Sequence, residues 1–136
     1  MLIVDSGPLY AAADARDPNH RRCAEVLRSA HGPLLVPVLA VAEVAYLIGN
    51  RLGAKAELAF GHALASGELV VGALDPTDLE RVTELVGQYL DLPLGLADAS
   101  VVALAERLGA KTIATLDRRH FSSVRPAHVS AFDLVP

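Results

Sequence analysis

Apolar residues follow two patterns along this chain: short unbroken runs, and longer stretches spaced three or four apart. LIVD (2–5), LLVP (34–37), ELVV (68–71) and TIAT (112–115) are runs of the first kind, and FDLV (132–135) offers a fifth. Runs this short, rich in Val, Ile and Leu, predict buried strands. Helical spacing is expected over about 19–30, 38–50, 54–66 and 97–108. The Gly53 region divides the second of these from the third, and Gly109 stands where a left-handed C-terminal residue belongs. T-D-L-E at 77–80 reads as a capping box ahead of Leu79, Val82, Val86 and Tyr89. Ser6, Gly7 and Pro8 read as a break after the first strand.

Strands of this kind joined by helices predict an α/β fold: three layers, α/β/α, around a central, mostly parallel sheet of four to five strands. The chain has 136 residues and no linker-like, repeated or low-complexity segment, so a single domain over 1–136 is expected. In such sheets ligands sit outside the carboxyl ends of the strands, which is where chemistry is to be sought.

Composition narrows the setting. Cys23 is the only cysteine, which excludes an internal disulfide or a thiolate zinc cage and fits a reducing compartment. No basic segment precedes the first apolar run, and the greasiest stretch, Leu34 to Gly49, is too short for a bilayer and carries Glu43. A cytoplasmic protein without a membrane partner is therefore expected. The formal net charge is −4, which by itself argues against a nucleic-acid partner. Three Phe, three Tyr and no Trp give little material for base-stacking platforms.

Four acids stand where acids are costly. Asp5 ends the first strand, and Asp117 follows TIAT by two residues in TLDRRHF. Each has an ordinary alternative as a turn residue or helix N-cap. Glu43 interrupts VPVLAVAEVAYLIG, with Leu39, Ala40, Tyr46 and Leu47 as its helical neighbours. It is either a buried acid that needs a cation or an acid on a helix edge that reaches solvent. Asp98, in LPLGLADASVVALAERLG, falls in a first helical turn, where the macrodipole also welcomes it. Two of the acids lie at strand ends and two on helices expected to flank those ends. Carboxylates converging there stay ionised only beside a cation, and an all-oxygen donor set selects Mg²⁺ or Mn²⁺ over zinc. Acidic metal pockets of this type act on phosphates.

Other chemistries lack their residues. A phosphatase with a strand-end Asp nucleophile needs a second Asp two residues on, where this chain has Gly7. There is no G-x-x-x-x-G-K-[ST] or G-x-G-x-x-G loop after a strand, and no G-x-S-x-G elbow. The histidines at 20, 31, 62, 120 and 128 show no close metal-ligand spacing.

In order and spacing, LIVDSGPLYAAAD, VPVLAVAEVAYLI, LGLADASVVALAERLGAKTIATLD and DRRHFSSVRP resemble the PIN-domain ribonucleases, specifically the VapC-type toxins of bacterial toxin–antitoxin pairs. The resemblance covers essentially the whole chain. It implies a metal-dependent endoribonuclease acting on structured RNA, tRNA or ribosomal RNA, with one or two Mg²⁺ or Mn²⁺ ions held by Asp5, Glu43, Asp98 and Asp117. Ser6 and Thr115 fall at supporting positions, where a hydroxyl can bond a neighbouring carboxylate. His120 stands three residues after Asp117, where some members carry a further acid; with Arg118 and Arg119 it is a candidate RNA contact. The resemblance further implies a homodimer and a VapB-type antitoxin, with the apolar helices at 38–50 and 54–66 as candidate contact surfaces.

The charge objection then weakens. The four acids equal the formal charge of −4, which two divalent ions would cancel, and basic residues cluster at Arg16, Arg21 and Arg22, at Arg51 and Lys55, and at Arg118, Arg119 and Arg125. Two competing readings are a non-catalytic PIN-fold module that binds RNA or protein, and a DNA-directed nuclease.

Overall fold

A computed structural model describes residues 1–136. β1 (Leu2–Val4) is buried throughout and pairs with two parallel neighbours, β2 (Leu34–Pro37) and β4 (Thr112–Ala114). β3 (Val70–Gly72) extends the sheet beyond β2, and β5 (Asp133–Val135) extends it beyond β4. All four pairings are parallel, and the spatial order is β3-β2-β1-β4-β5.

Side chains alternate across this sheet, which produces two cores. Leu2 and Val4 pack with Leu9, Val36, Val44, Ile48 and Phe60 on one face; Ile3 packs with Val82, Leu85, Leu104, Ile113 and Phe121 on the other. The first face is covered by α1 (Ser6–Ala13), α3 (Val38–Leu52) and α4 (Ala54–Ala65), with α2 (His20–Ser29) packed on α1. The second is covered by α5 (Pro76–Gln88), α6 (Leu96–Leu108) and the short α7 (Arg118–Ser123). The result is the three-layer α/β/α arrangement, with five strands and seven helices. No helix is long and apolar enough to cross a membrane.

Four local features differ from expectation or refine it. α1 is a helix where a break was expected: Pro8 sits in its first turn, where a missing N–H removes no helical hydrogen bond, and Asp5 caps it by accepting from the Ser6 N–H. α7 was also missed; at six residues it carries too little periodicity to be read. The capping box of α5 uses Asp75 and Asp78 rather than Thr77 and Glu80, because Pro76 takes the first helical position. Gly109, at φ 68°, ends α6 in the left-handed conformation expected of it.

The strand order fixes where a site can form. From β1 the chain steps outward to β2 and β3, then crosses back to place β4 on the opposite side of β1. The carboxyl ends of β1 and β4 are thus a topological switch point, where the connections diverge and leave a crevice. Phe121, 1% exposed, anchors α7 beside that crevice. Phe121→Ala is expected to cost about 3–5 kcal/mol, read as a lowered midpoint in urea unfolding; a loss under about 1 kcal/mol would show that α7 is not held by this ring.

Candidate active site

A cavity of about 490 Å³ opens at the switch point and is lined by Asp5, Glu43, Asp98 and Asp117 together with Ser6, Gly7 and Leu116. The four acids named from the sequence therefore share one pocket, although they reach it from four elements. Asp5 extends β1 as the N-cap of α1; Asp117 follows β4 as the N-cap of α7; Asp98 lies in the first turn of α6; Glu43 lies in the second turn of α3. For Asp5 and Asp117 the capping role and the pocket position coexist.

Asp5 is the most constrained of the four, at 4% exposure. Its Oδ1 accepts from the Ser6 backbone N–H at 2.7 Å and its Oδ2 from the Thr115 hydroxyl at 2.8 Å. Thr115 Oγ1 in turn accepts from the Asp117 backbone N–H at 3.0 Å. This one hydroxyl ties the ends of β1 and β4 together. Ser6 contributes through its backbone N–H.

Asp98 and Asp117 meet through His120. Its Nδ1 lies 2.8 Å from Asp98 Oδ2 and 3.0 Å from Asp117 Oδ2. The His120 backbone N–H also donates to Asp117 Oδ1 at 3.0 Å. One ligand atom from each of the three residues can be chosen so that all lie within 4.8 Å of one another. Asp5 and Glu43 line the same cavity outside this tight group. Glu43 is exposed, so it is an acid on a helix edge that reaches solvent rather than one enclosed by apolar neighbours.

The electrostatics follow from this crowding. Burial pushes the Asp5 carboxyl up from its ordinary 3.8 to about 6, against the pull of the Thr115 hydrogen bond, with Asp98 and Glu43 adding to the rise. Burial also raises Asp98, opposed by the hydrogen bond and charge of His120 and reinforced by Asp117 and Glu43. No Lys or Arg forms an ion pair with any of the four acids. Converging carboxylates with no Lys or Arg partner, and with His120 alone beside Asp98 and Asp117, keep lone pairs to spare and form a donor set that fits a hard divalent cation.

The basic residues after Asp117 are not aimed into the pocket. Arg118 is exposed and donates to the Leu134 and Pro136 carbonyls; Arg119 is exposed. Arg22, from α2, reaches the same Pro136 carbonyl at 3.3 Å. Two guanidiniums distant in sequence thus meet at the end of β5, a pairing that charge clustering along the chain did not reveal.

Comparison with known proteins bears on the whole chain. The family model described as the PIN domain matches residues 2–125. Ribonuclease VapC26 of Mycobacterium tuberculosis (strain ATCC 25618 / H37Rv) is 38% identical over 135 residues, which is 99% of this chain and 100% of that protein. The crystal structure of VapC20 of M. tuberculosis, described as a Sarcin-Ricin loop cleaving toxin, superposes with a TM-score of 0.82 at 18% identity, covering 96% of this chain and 99% of that one. FitAcB from Neisseria gonorrhoeae superposes with a TM-score of 0.62 at 17% identity, over 98% and 97% of the two chains.

The raised Asp5 carboxyl sets a pH dependence. Below 3.8 the group is protonated both folded and unfolded; as the pH rises from there through about 6, only the folded state resists giving up the proton, so stability is lost across that window. Without added divalent ions, Asp5→Asn is expected to raise the unfolding midpoint at pH 7, by an amount equivalent to at most about 3 kcal/mol. The advantage should shrink toward pH 4. Equal midpoints at pH 7 would show that Asp5 carries no such cost.

Proposed function

The chain belongs to the PIN-domain family, and from that membership we propose that it is a VapC-type endoribonuclease toxin whose acidic pocket hydrolyses phosphodiester bonds in structured RNA. The observation that carries this reading is the set of four carboxylates, without a Lys or Arg partner, at the switch point of the sheet. Full-length likeness to a named ribonuclease supports it. The substrate class proposed is tRNA or ribosomal RNA; VapC20, of the same fold, is described as a Sarcin-Ricin loop cleaving toxin.

Asp5, Glu43, Asp98 and Asp117 are the residues proposed to hold Mg²⁺ or Mn²⁺. When bound, such an ion supplies a nucleophilic water at neutral pH and offsets charge developing on the phosphate. The chain's own contribution is positioning. The Thr115 hydroxyl and the Ser6 N–H fix both oxygens of Asp5, so its free lone pairs point in set directions. α6 holds Asp98 at a helix start whose following residues, Ala99 to Ala105, are all buried and leave the helix little freedom to shift. Attack by water on phosphorus yields a 5′-phosphate and a 3′-hydroxyl and uses no 2′-hydroxyl, so RNA must be selected by its shape and by contacts outside the pocket. Arg118, Arg119 and Arg22 form the basic rim proposed to meet the sugar–phosphate chain.

The same reading assigns the protein to the cytoplasm as a homodimer restrained by a VapB-type antitoxin. Tyr46 on α3 and Leu58 on α4, 71% and 62% exposed, are the contact candidates on the helices singled out from the sequence. Asp5→Asn and Asp98→Asn are each expected to reduce Mn²⁺-dependent cleavage of a structured RNA by at least about a hundredfold, with single-stranded DNA left uncut by the wild type. Undiminished cleavage in both variants would end the proposal, and preferential cutting of the DNA would redirect it.

A further inference from the structure

We propose that His120 is itself a ligand of the pocket's ion, through Nδ1, and that this nitrogen biases the site toward Mn²⁺ over Mg²⁺. The inference rests on the nuclease reading above and concerns which ion that site takes. The imidazole, 17% exposed, sits against two of the acids that line the pocket, with Nδ1 2.8 Å and 3.0 Å from an oxygen of Asp98 and of Asp117. Two ligands about 2.1 Å from an octahedral ion, at right angles to each other, stand about 3 Å apart. The separations across His120 therefore match the edges of a coordination shell as well as they match hydrogen bonds.

The ring is also held in place before any ion arrives. The His120 backbone N–H caps onto Asp117 Oδ1, and the next residue, Phe121, is locked in the core. Imidazole and carboxylate can thus present their donor atoms without rearranging the backbone. Mg²⁺ takes oxygen ligands and dehydrates reluctantly, whereas transition-series ions accept imidazole nitrogen readily. An acid at this position would complete an all-oxygen set; His120 makes the set mixed.

The test uses the chelator-stripped full-length chain titrated with MnCl₂ or MgCl₂. Isothermal titration should give tighter binding of Mn²⁺ than of Mg²⁺ to the wild type. His120→Gln should weaken Mn²⁺ about tenfold and Mg²⁺ by distinctly less. Electron spin echo modulation of the wild-type Mn²⁺ complex should show a coupled ¹⁴N nucleus, lost in H120Q. The wild-type spectrum decides the matter even if the variant folds poorly. Bound Mn²⁺ with no nitrogen coupling overturns the ligand assignment alone, as does an H120Q chain that binds Mn²⁺ equally well or more tightly, the imidazole then acting as a plug. A wild type that binds no Mn²⁺ overturns it together with the nuclease reading.

Discussion

A carboxylate removed from water at the end of a central strand needs a counter-charge, and none of this chain's twelve Lys and Arg residues supplies one to Asp5. The two hydrogen bonds to its oxygens offset only part of the cost, since burial still holds the carboxyl well above its usual range. Burial raises Asp98 as well, although His120 beside it offsets part of the rise. A protein selected for stability alone would fill this crevice with apolar side chains, which would be neutral or better. Such charge, at the switch point of a parallel sheet where these folds bind ligands, is what the proposed site accounts for.

The rest of the fold serves to hold that charge in place. Two cores press on opposite faces of the sheet, so β1 and β4 cannot slide past each other without breaking both. Thr115 joins the two strand ends through a single hydroxyl that donates to Asp5 and accepts from the Asp117 N–H. Farther out, Arg81 is bidentate to Glu106, which also accepts from the Ala127 N–H, fastening the loop before β5 to α6. Glu106 is held below its usual range because these bonds outweigh its partial burial. Acids bound to arginine serve the scaffold here; the acids of the pocket have no Lys or Arg partner.

Much of this was legible beforehand, for identifiable reasons. Strands buried on both faces leave continuous apolar runs, and LIV, LLVP and TIA were readable on that account. Asp5, Asp98 and Asp117 each had an ordinary explanation as a cap or first-turn acid, and were readable as a site only together, because all fall at strand ends or on helices expected to flank them. The helices beside two of them were not. α1 hides behind a proline that is harmless in a first turn, and α7 is too short to show a period. Glu43 was found among apolar neighbours, yet its exposure depends on which side of α3 the sheet covers, which composition does not reveal. His120 carried no spacing signal because its partners are 22 residues upstream and, through the first turn of α7, three residues upstream.

The strand order has a further consequence in time. The β1 segment is synthesised first, but its neighbour β4 comes more than a hundred residues later, and the Thr115–Asp5 bond spans 110 positions. A chain cut short between the end of β3 and Asp117 carries β1, β2 and β3 yet cannot close the crevice. Truncated or half-synthesised copies lack one wall of the pocket, which is completed only when nearly all of the sequence is present.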